Sequence, residues 1–236
     1  MKWLVYDVTK LVCWLVFRFR FGLEVSGQQH VPARGAFIAA SNHVSFLDPP
    51  LVGVTCPRRL RFMARADLYH HPRLAMFLNA FRVIPLKRGE ADLHAVREAL
   101  ACLRRGEPVA IFPEGGRQLS GVLGEARRGV GLLALAAQVP IIPVFVQGTF
   151  QALPPGAKRL QPSKIGVAFG EPIPYTDEPP SLQERRRAGA AGLPAAPGAA
   201  QAGKERQEAL AGAVTRQWRR LREQLERVAS SRTLPS

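Results

Sequence analysis

Three short stretches carry side chains able to do chemistry. In "SNHVSFLDPP" (41–50) His43 stands five positions before Asp48. In "EPVAIFPEGGRQ" (107–118) Glu114, Gly115, Gly116 and Arg117 follow one another, and "RVIPLKRGE" (82–90) contains the adjacent cations Lys87 and Arg88. The second and third suit an anion: glycine amides beside an arginine match a phosphate or an oxyanion, and paired cations at a strand end match a phosphate. Each also has an ordinary reading, as a Gly-rich turn with a surface Glu and Arg, or as a solvated charge pair.

Neither regular element brings His43 and Asp48 together. Five residues turn a helix through roughly 500°, about 140° out of phase, and an odd offset on a strand puts the two side chains on opposite faces. They can meet only across a turn, and the flanks supply one. "AFIAA" (36–40) reads as a buried strand. "DPP" reads as a helix start, with Asp48 as N-cap and Pro49 at the first helical position, where a missing N–H is harmless. Strand-to-helix turns are where α/β folds commonly place ligands. The ordinary alternative makes Asp48 a cap and nothing more, and His43 a loop histidine.

The elements that must position these groups follow from short apolar runs alternating with helical patterns. Strands are predicted at 36–40, 60–64, 82–86, 109–112, 141–147 and 164–169, and helices at 49–55, 72–80, 91–105 and 129–138. Leu93, Val96, Leu100 and Leu103 carry the helical spacing of the third helix. The result is an α/β fold with a mostly parallel central sheet flanked by helices. All three chemical stretches then lie at strand ends.

The 236 residues fit one domain with appendages. The net charge is +15, and residues 1–176 hold 22 Lys+Arg against 11 Asp+Glu, so +11 of it belongs to the predicted folded part. Such a surplus favours polyanionic partners: nucleic acid, an anionic membrane, or a phosphate-bearing substrate. The aromatic-plus-basic signatures of RNA binding and zinc-finger spacings are absent, so no nucleic acid is expected. Cys13, Cys56 and Cys102 have no paired spacing and read as reduced. His30, His70, His71 and His94 have no second ligand at usable spacing, and no metal is expected.

The two ends differ from the middle. Residues 1–24 form an amphipathic, membrane-associating segment whose longest uncharged run, "LVCWLVF", falls short of the about 20 apolar residues needed to span a bilayer. No small-residue cleavage site follows it, which argues against a secretory signal. Trp3 and Trp14 suit the headgroup level, with Lys2, Arg18 and Arg20 toward anionic phosphates; the alternative is an ordinary buried first helix. The folded domain is expected over 25–176, a Pro/Ala/Gly-rich linker over 177–205, and a C-terminal helix over 206–236. In that helix Leu210, Val214, Trp218, Leu221 and Leu225 fall near one face. Docking on the domain, pairing with a partner and lying on a membrane all fit it.

"NHVSFLD" together with "FPEGGR" strongly resembles the glycerophospholipid acyltransferase family, the 1-acylglycerol-3-phosphate acyltransferases. Their hallmarks are Asn-His, four residues and Asp, then Phe-Pro-Glu-Gly-Thr-Arg. Weaker blocks match in the family's order: "RVIPLKRG", "ARRGVGLLA" (126–134), "VPIIPV" (139–144) and "GEPI" (170–173). The resemblance covers about residues 25–175. The sequence departs from the pattern at Gly116, where Thr is usual, at Gln118 for a common Ser, and at Asn79 near a usual Gly. These departures bear on the acceptor's head group and not on His43 and Asp48.

The resemblance implies acyl transfer from acyl-CoA or acyl carrier protein to the free hydroxyl of lysophosphatidic acid, giving phosphatidic acid. His43 would be the general base and Asp48 would orient its ring. Arg88 and Arg117 would bind the acceptor phosphate, with Glu114, Gly115 and Gly116 shaping the pocket. It implies no metal and no bound cofactor beyond the donor co-substrate, and a peripheral or monotopic enzyme on the cytoplasmic face of a membrane. The alternatives are the same chemistry on another lysolipid, an aminolipid or glycolipid, or a non-catalytic basic protein binding anionic membranes or nucleic acid.

Overall fold

Strand β2 (Ile38–Ser41) is buried at every position, and that is why it reads as an unbroken apolar run. The computed structural model describes residues 2–70, 78–79, 83–86, 93–157, 159–176 and 199–231. Within these, the strands are β1 (Glu24–Ser26), β2, β3 (Arg61–Arg65), β4 (Ile84–Leu86), β5 (Val109–Ile111), β6 (Ile141–Gln147) and β7 (Gly166–Phe169). The helices are α1 (Lys2–Phe21), α2 (Asp48–Thr55), α3 (Leu93–Arg104), α4 (Gly129–Ala137), the single turn α5 (Thr149–Ala152), and α6 (Ala199–Ser231). The sheet runs β1-β7-β6-β2-β5-β3-β4. Every pairing between these strands is parallel except β6 with β7.

Side chains of β2 alternate between two cores, as the period of a strand requires. Phe37 and Ala39 face the core under α1 and α2, while Ile38 and Ala40 face the one under α3, α4 and α6. The chain leaves β2 through α2 toward β3 on one side, and leaves β5 through α4 toward β6 on the other. Strand order therefore reverses around β2, and open α/β sheets bind ligands beyond the carboxyl end of the strand where that reversal falls.

The C-terminal helix docks on the sheet. Ala211, Val214, Trp218, Leu221 and Leu225 are buried at three- and four-residue spacing against β6, β7 and α4. A Cβ at Gly131 would collide with the backbone of Gln207, so glycine is what lets α4 and α6 approach this closely. The helix starts at Ala199, inside the stretch whose composition suggests linker. Its alanines are strong helix formers, and Gln201 Nε2 donates to Glu205 Oε1 at 3.1 Å one turn on. Strand β1 has no counterpart in the sequence reading: three half-buried residues carry too little pattern, and only pairing with β7 makes them a strand.

Helix α1 is apolar on two faces. Tyr6, Phe17 and Phe21 are buried in the domain, while Val8, Leu11, Val12, Val16 and Phe19 face outward, Phe19 with 81% of its surface exposed. The buried alternative thus holds for one side of the helix, and its other side is apolar and exposed. No helix among the described residues is long and apolar enough to cross a membrane. The expected helix at 72–80 lies outside the described residues apart from 78–79, which are helical.

Candidate active site

At the end of β2 the backbone leaves the sheet, and a side chain takes over its hydrogen bonding. Asn42 donates from Nδ2 to Val146 O at 3.0 Å and accepts from Val146 N–H at Oδ1, 2.7 Å, which ties the turn to β6. The sequence reading passed over this residue, although it stands next to His43 in the motif.

His43 is fixed on four sides. Its N–H donates to Glu114 Oε1 at 2.9 Å and its carbonyl accepts from Gln118 N–H at 2.8 Å, so the 113–118 loop clasps its backbone. The ring stacks on Phe112 with centroids 4.3 Å apart, and Nδ1 lies 2.9 Å from Asp48 Oδ2. A carboxylate only accepts, so Nδ1 carries the proton and Nε2 presents a lone pair. No hydrogen bond to Nε2 is made by the described residues.

Asp48 is fully buried. Its Oδ2 accepts from Val44 N–H and Ser45 N–H, each at 2.7 Å, as well as from His43. The expected N-cap role is overturned: Asp48 is the first helical residue, the flanking position is Leu47, and no side chain caps α2. The reason lies in the prolines. Pro49 and Pro50 have no N–H to offer, and Leu51 N–H already bonds Leu47 O at 3.1 Å. The carboxylate turns back instead to the amides of the turn, which fold it onto His43.

Glu114 is buried at the root of the second loop. Burial raises its pKa above the ordinary glutamate value, opposed by hydrogen bonds from His43 N–H and the Gln118 side chain. Gly115 sits at φ 80°, a left-handed conformation that glycine adopts without strain. Its amide was expected to be free for a ligand but donates to Phe112 O at 3.1 Å, closing the turn. The Gly116 N–H makes no such bond among the described residues, and the residue is exposed.

Arg117 carries its guanidinium 3.6 Å from the ring centroid of Phe46, a residue of the His43–Asp48 turn. This cation–π contact joins the 113–118 loop to the His43–Asp48 turn. Phe46 was not singled out in the sequence; its exposed aromatic ring between histidine and aspartate is the signal that marks it. The structure thus gathers His43, Asp48, Glu114, Gly115, Gly116 and Arg117 at one end of the sheet. Arg88 and Lys87 lie outside the described residues. Among the described residues no three His, Cys, Asp or Glu side chains gather as metal ligands would, and His30 is engaged elsewhere, with Nδ1 2.9 Å from Phe169 O.

The sequence model of the acyltransferase family matches residues 22–147. The chain is 26% identical over 164 residues to the 1-acyl-sn-glycerol-3-phosphate acyltransferase of Bacillus subtilis, covering 69% of this chain and 79% of that one. It is 30% identical over 184 residues to the human 1-acyl-sn-glycerol-3-phosphate acyltransferase alpha, covering 73% and 64%. The chloroplastic relative BAT2 of Brassica napus is 25% identical over 154 residues, and the chain spans 44% of that protein's length. The crystal structure of PlsC, described as the 1-acyl-sn-glycerophosphate acyltransferase of Thermotoga maritima, superposes with a TM-score of 0.66 at 24% identity, over 89% of this chain and 80% of that one. That structure shares the fold.

Proposed function

This chain belongs to the acyltransferase family, and from that premise we propose that it moves a fatty acyl group from a thioester donor to the free hydroxyl of lysophosphatidic acid, forming phosphatidic acid. The observation that carries the reading is the His43–Asp48 pair, a buried carboxylate bonded to Nδ1 and an imidazole Nε2 left available. His43 Nε2 takes the proton of the acceptor hydroxyl as that oxygen attacks the thioester carbonyl. Asp48 keeps the ring in the right tautomer and stabilises the imidazolium that forms. The tetrahedral intermediate collapses with cleavage of the C–S bond, and the thiolate leaves with the proton returned by His43. The nucleophile is the acceptor's own oxygen.

Arg117, held over Phe46, binds the acceptor's phosphate, with the free Gly116 N–H beside it. Arg88 has the same role on the strength of the family pattern. Glu114 acts from behind, holding the His43 backbone. The donor, acyl-CoA or acyl carrier protein, is polyanionic and suits a chain of net charge +15. The outward apolar face of α1 supports peripheral attachment to the cytoplasmic face of a membrane, where the acceptor resides. Gly116 in place of the usual Thr removes a hydroxyl beside the phosphate site, and a lysolipid with another head group is the second reading it favours.

Thiol release from acyl-CoA, measured in mixed micelles with lysophosphatidic acid and several other lysolipids, tests this. Release with lysophosphatidic acid that disappears in His43→Ala is the expected result. Full release in the variant would remove His43 from the mechanism, and release with a different lysolipid alone would change the acceptor. Silence with acyl-CoA and acyl carrier protein donors alike would leave a basic membrane-binding protein.

A further inference from the structure

Arg127 belongs to the weakly matching block 126–134 and has been given no role, yet it returns to the tip of the Gly115–Gly116 loop. Its N–H donates to Pro113 O at 2.8 Å, which folds the end of the loop back on its root. Its guanidinium then lies flat against Gly115. A Cβ at that position would stand 2.8 Å from Arg127 Cζ, 2.9 Å from Nη1 and 3.0 Å from Nε. The side chain is exposed, and no carboxylate pairs with it among the described residues. Glu114, the acid next to Gly115, is buried beneath and turned to His43 N–H.

The placement depends on the C-terminal helix. Ala126 N–H donates to Thr215 Oγ1 at 3.0 Å, and that hydroxyl donates in turn to Ala211 O at 3.2 Å. Glu125 meets Arg219 at 3.5 Å. Two consecutive residues are therefore held by α6 immediately before Arg127, so the helix sets where the guanidinium falls.

We infer that Arg127 is a second phosphate-binding cation of the active site, flanking the glycine loop that carries Arg117, and that Thr215 is its positioning residue. The inference rests on the proposed acyl transfer, which brings phosphate groups to this end of the sheet. A planar guanidinium packed against backbone offers a fork of N–H donors that matches phosphate oxygens. Two arginines around one loop hold a phosphate monoester better than either alone. That group occurs both on lysophosphatidic acid and on the nucleotide of CoA.

The test is steady-state kinetics of Arg127→Gln with lysophosphatidic acid and with 1-acylglycerol, the same acceptor without phosphate, each against acyl-CoA. A single charge-assisted contact corresponds to a roughly tenfold to hundredfold rise in KM for the phosphate-bearing substrate. The 1-acylglycerol KM should stay unchanged. A rise for lysophosphatidic acid alone assigns the acceptor's phosphate, and a rise for acyl-CoA alone assigns the donor's. An equal rise for 1-acylglycerol, or no rise at all, overturns the inference. Thr215→Val, which keeps shape and loses the acceptor oxygen, should raise the same KM, and Thr215→Ser should restore it.

Calorimetric binding of glycerol 3-phosphate and of CoA separates this inference from the reaction it rests on. Weakened binding in Arg127→Gln, in a protein whose wild type acylates nothing, would discard the reaction and keep the cation. Wild-type protein that binds neither ligand would discard the cation.

Discussion

Asp48→Asn removes a charge while leaving a scaffold in place. One oxygen, Oδ2, accepts all three hydrogen bonds, from His43 Nδ1, Val44 N–H and Ser45 N–H. A carboxamide oxygen at the same point accepts the same three. The new NH2 then falls where Oδ1 stands, a buried atom with no partner among the described residues. The loss in rate is therefore the lost attraction between carboxylate and imidazolium. The His43 side chain is 16% exposed and that of Asp48 0%, so water screens the pair little. Unit charges about 4 Å apart at an effective dielectric of about 20 attract by about 4 kcal/mol. At about 1.4 kcal/mol per decade of rate, kcat should fall roughly 10³-fold. KM for both substrates should move less than about threefold, since Asp48 sits behind His43 and touches neither. Thiol release in micelles gives both constants. A circular dichroism melt beside it checks folding, because the stranded NH2 destabilises by about 1–3 kcal/mol. A folded Asp48→Asn protein keeping more than about a tenth of wild-type kcat would refute the charge argument.

Three further outcomes follow from the packing. Burial raises the Glu114 pKa, so the folded state binds that proton more tightly than the unfolded chain, and folded stability falls as pH rises from the ordinary glutamate value through the raised one. Glu114→Gln keeps the acceptor for His43 N–H and removes the titration. The wild-type melting temperature relative to the variant should therefore drop as pH rises above the ordinary glutamate pKa of about 4.3, and a constant gap sinks the idea. Trp218→Phe deletes the buried indole N–H that donates to Ala40 O at 3.0 Å, three residues before His43. It should reduce unfolding free energy by about 1–3 kcal/mol in denaturant titration, and an unchanged midpoint would mean the bond contributes nothing. Replacing the exposed Leu11 and Phe19 by serine should lower flotation with anionic liposomes while the melting temperature holds; undiminished flotation would take α1 out of membrane binding.

The sheet was largely legible because its strands are buried on both faces and stand out as continuous apolar runs. Strands at 109–111 and 141–147 fall inside the expected segments for that reason, and the one at 38–41 runs a single residue past its segment, 36–40. The half-buried β1 has no such run and was missed. The turn between His43 and Asp48 was legible from spacing alone, since no helix or strand lets the two meet. What Asp48 does there came from the family resemblance and not from the local pattern, because its N-cap signature is real in sequence and fails only when the prolines and the Leu51–Leu47 bond leave the cap nothing to hold. The Gly115 amide was misjudged for a related reason: a turn's internal hydrogen bond is invisible until the turn closes.

By itself, the sequence determined the class of fold, the strand-to-helix turn carrying His43 and Asp48, the glycine loop carrying Glu114 and Arg117, and a first helix with apolar residues to spare. These are local properties of spacing, propensity and burial pattern. Tertiary structure alone decided that α6 docks on the sheet, that Phe46 holds Arg117, that Asn42 ties β2 to β6, and that Thr215 sets Arg127 against Gly115. Each of those contacts joins residues from different elements or loops. The sequence lists their donors and acceptors, but only the folded sheet brings them within hydrogen-bonding range.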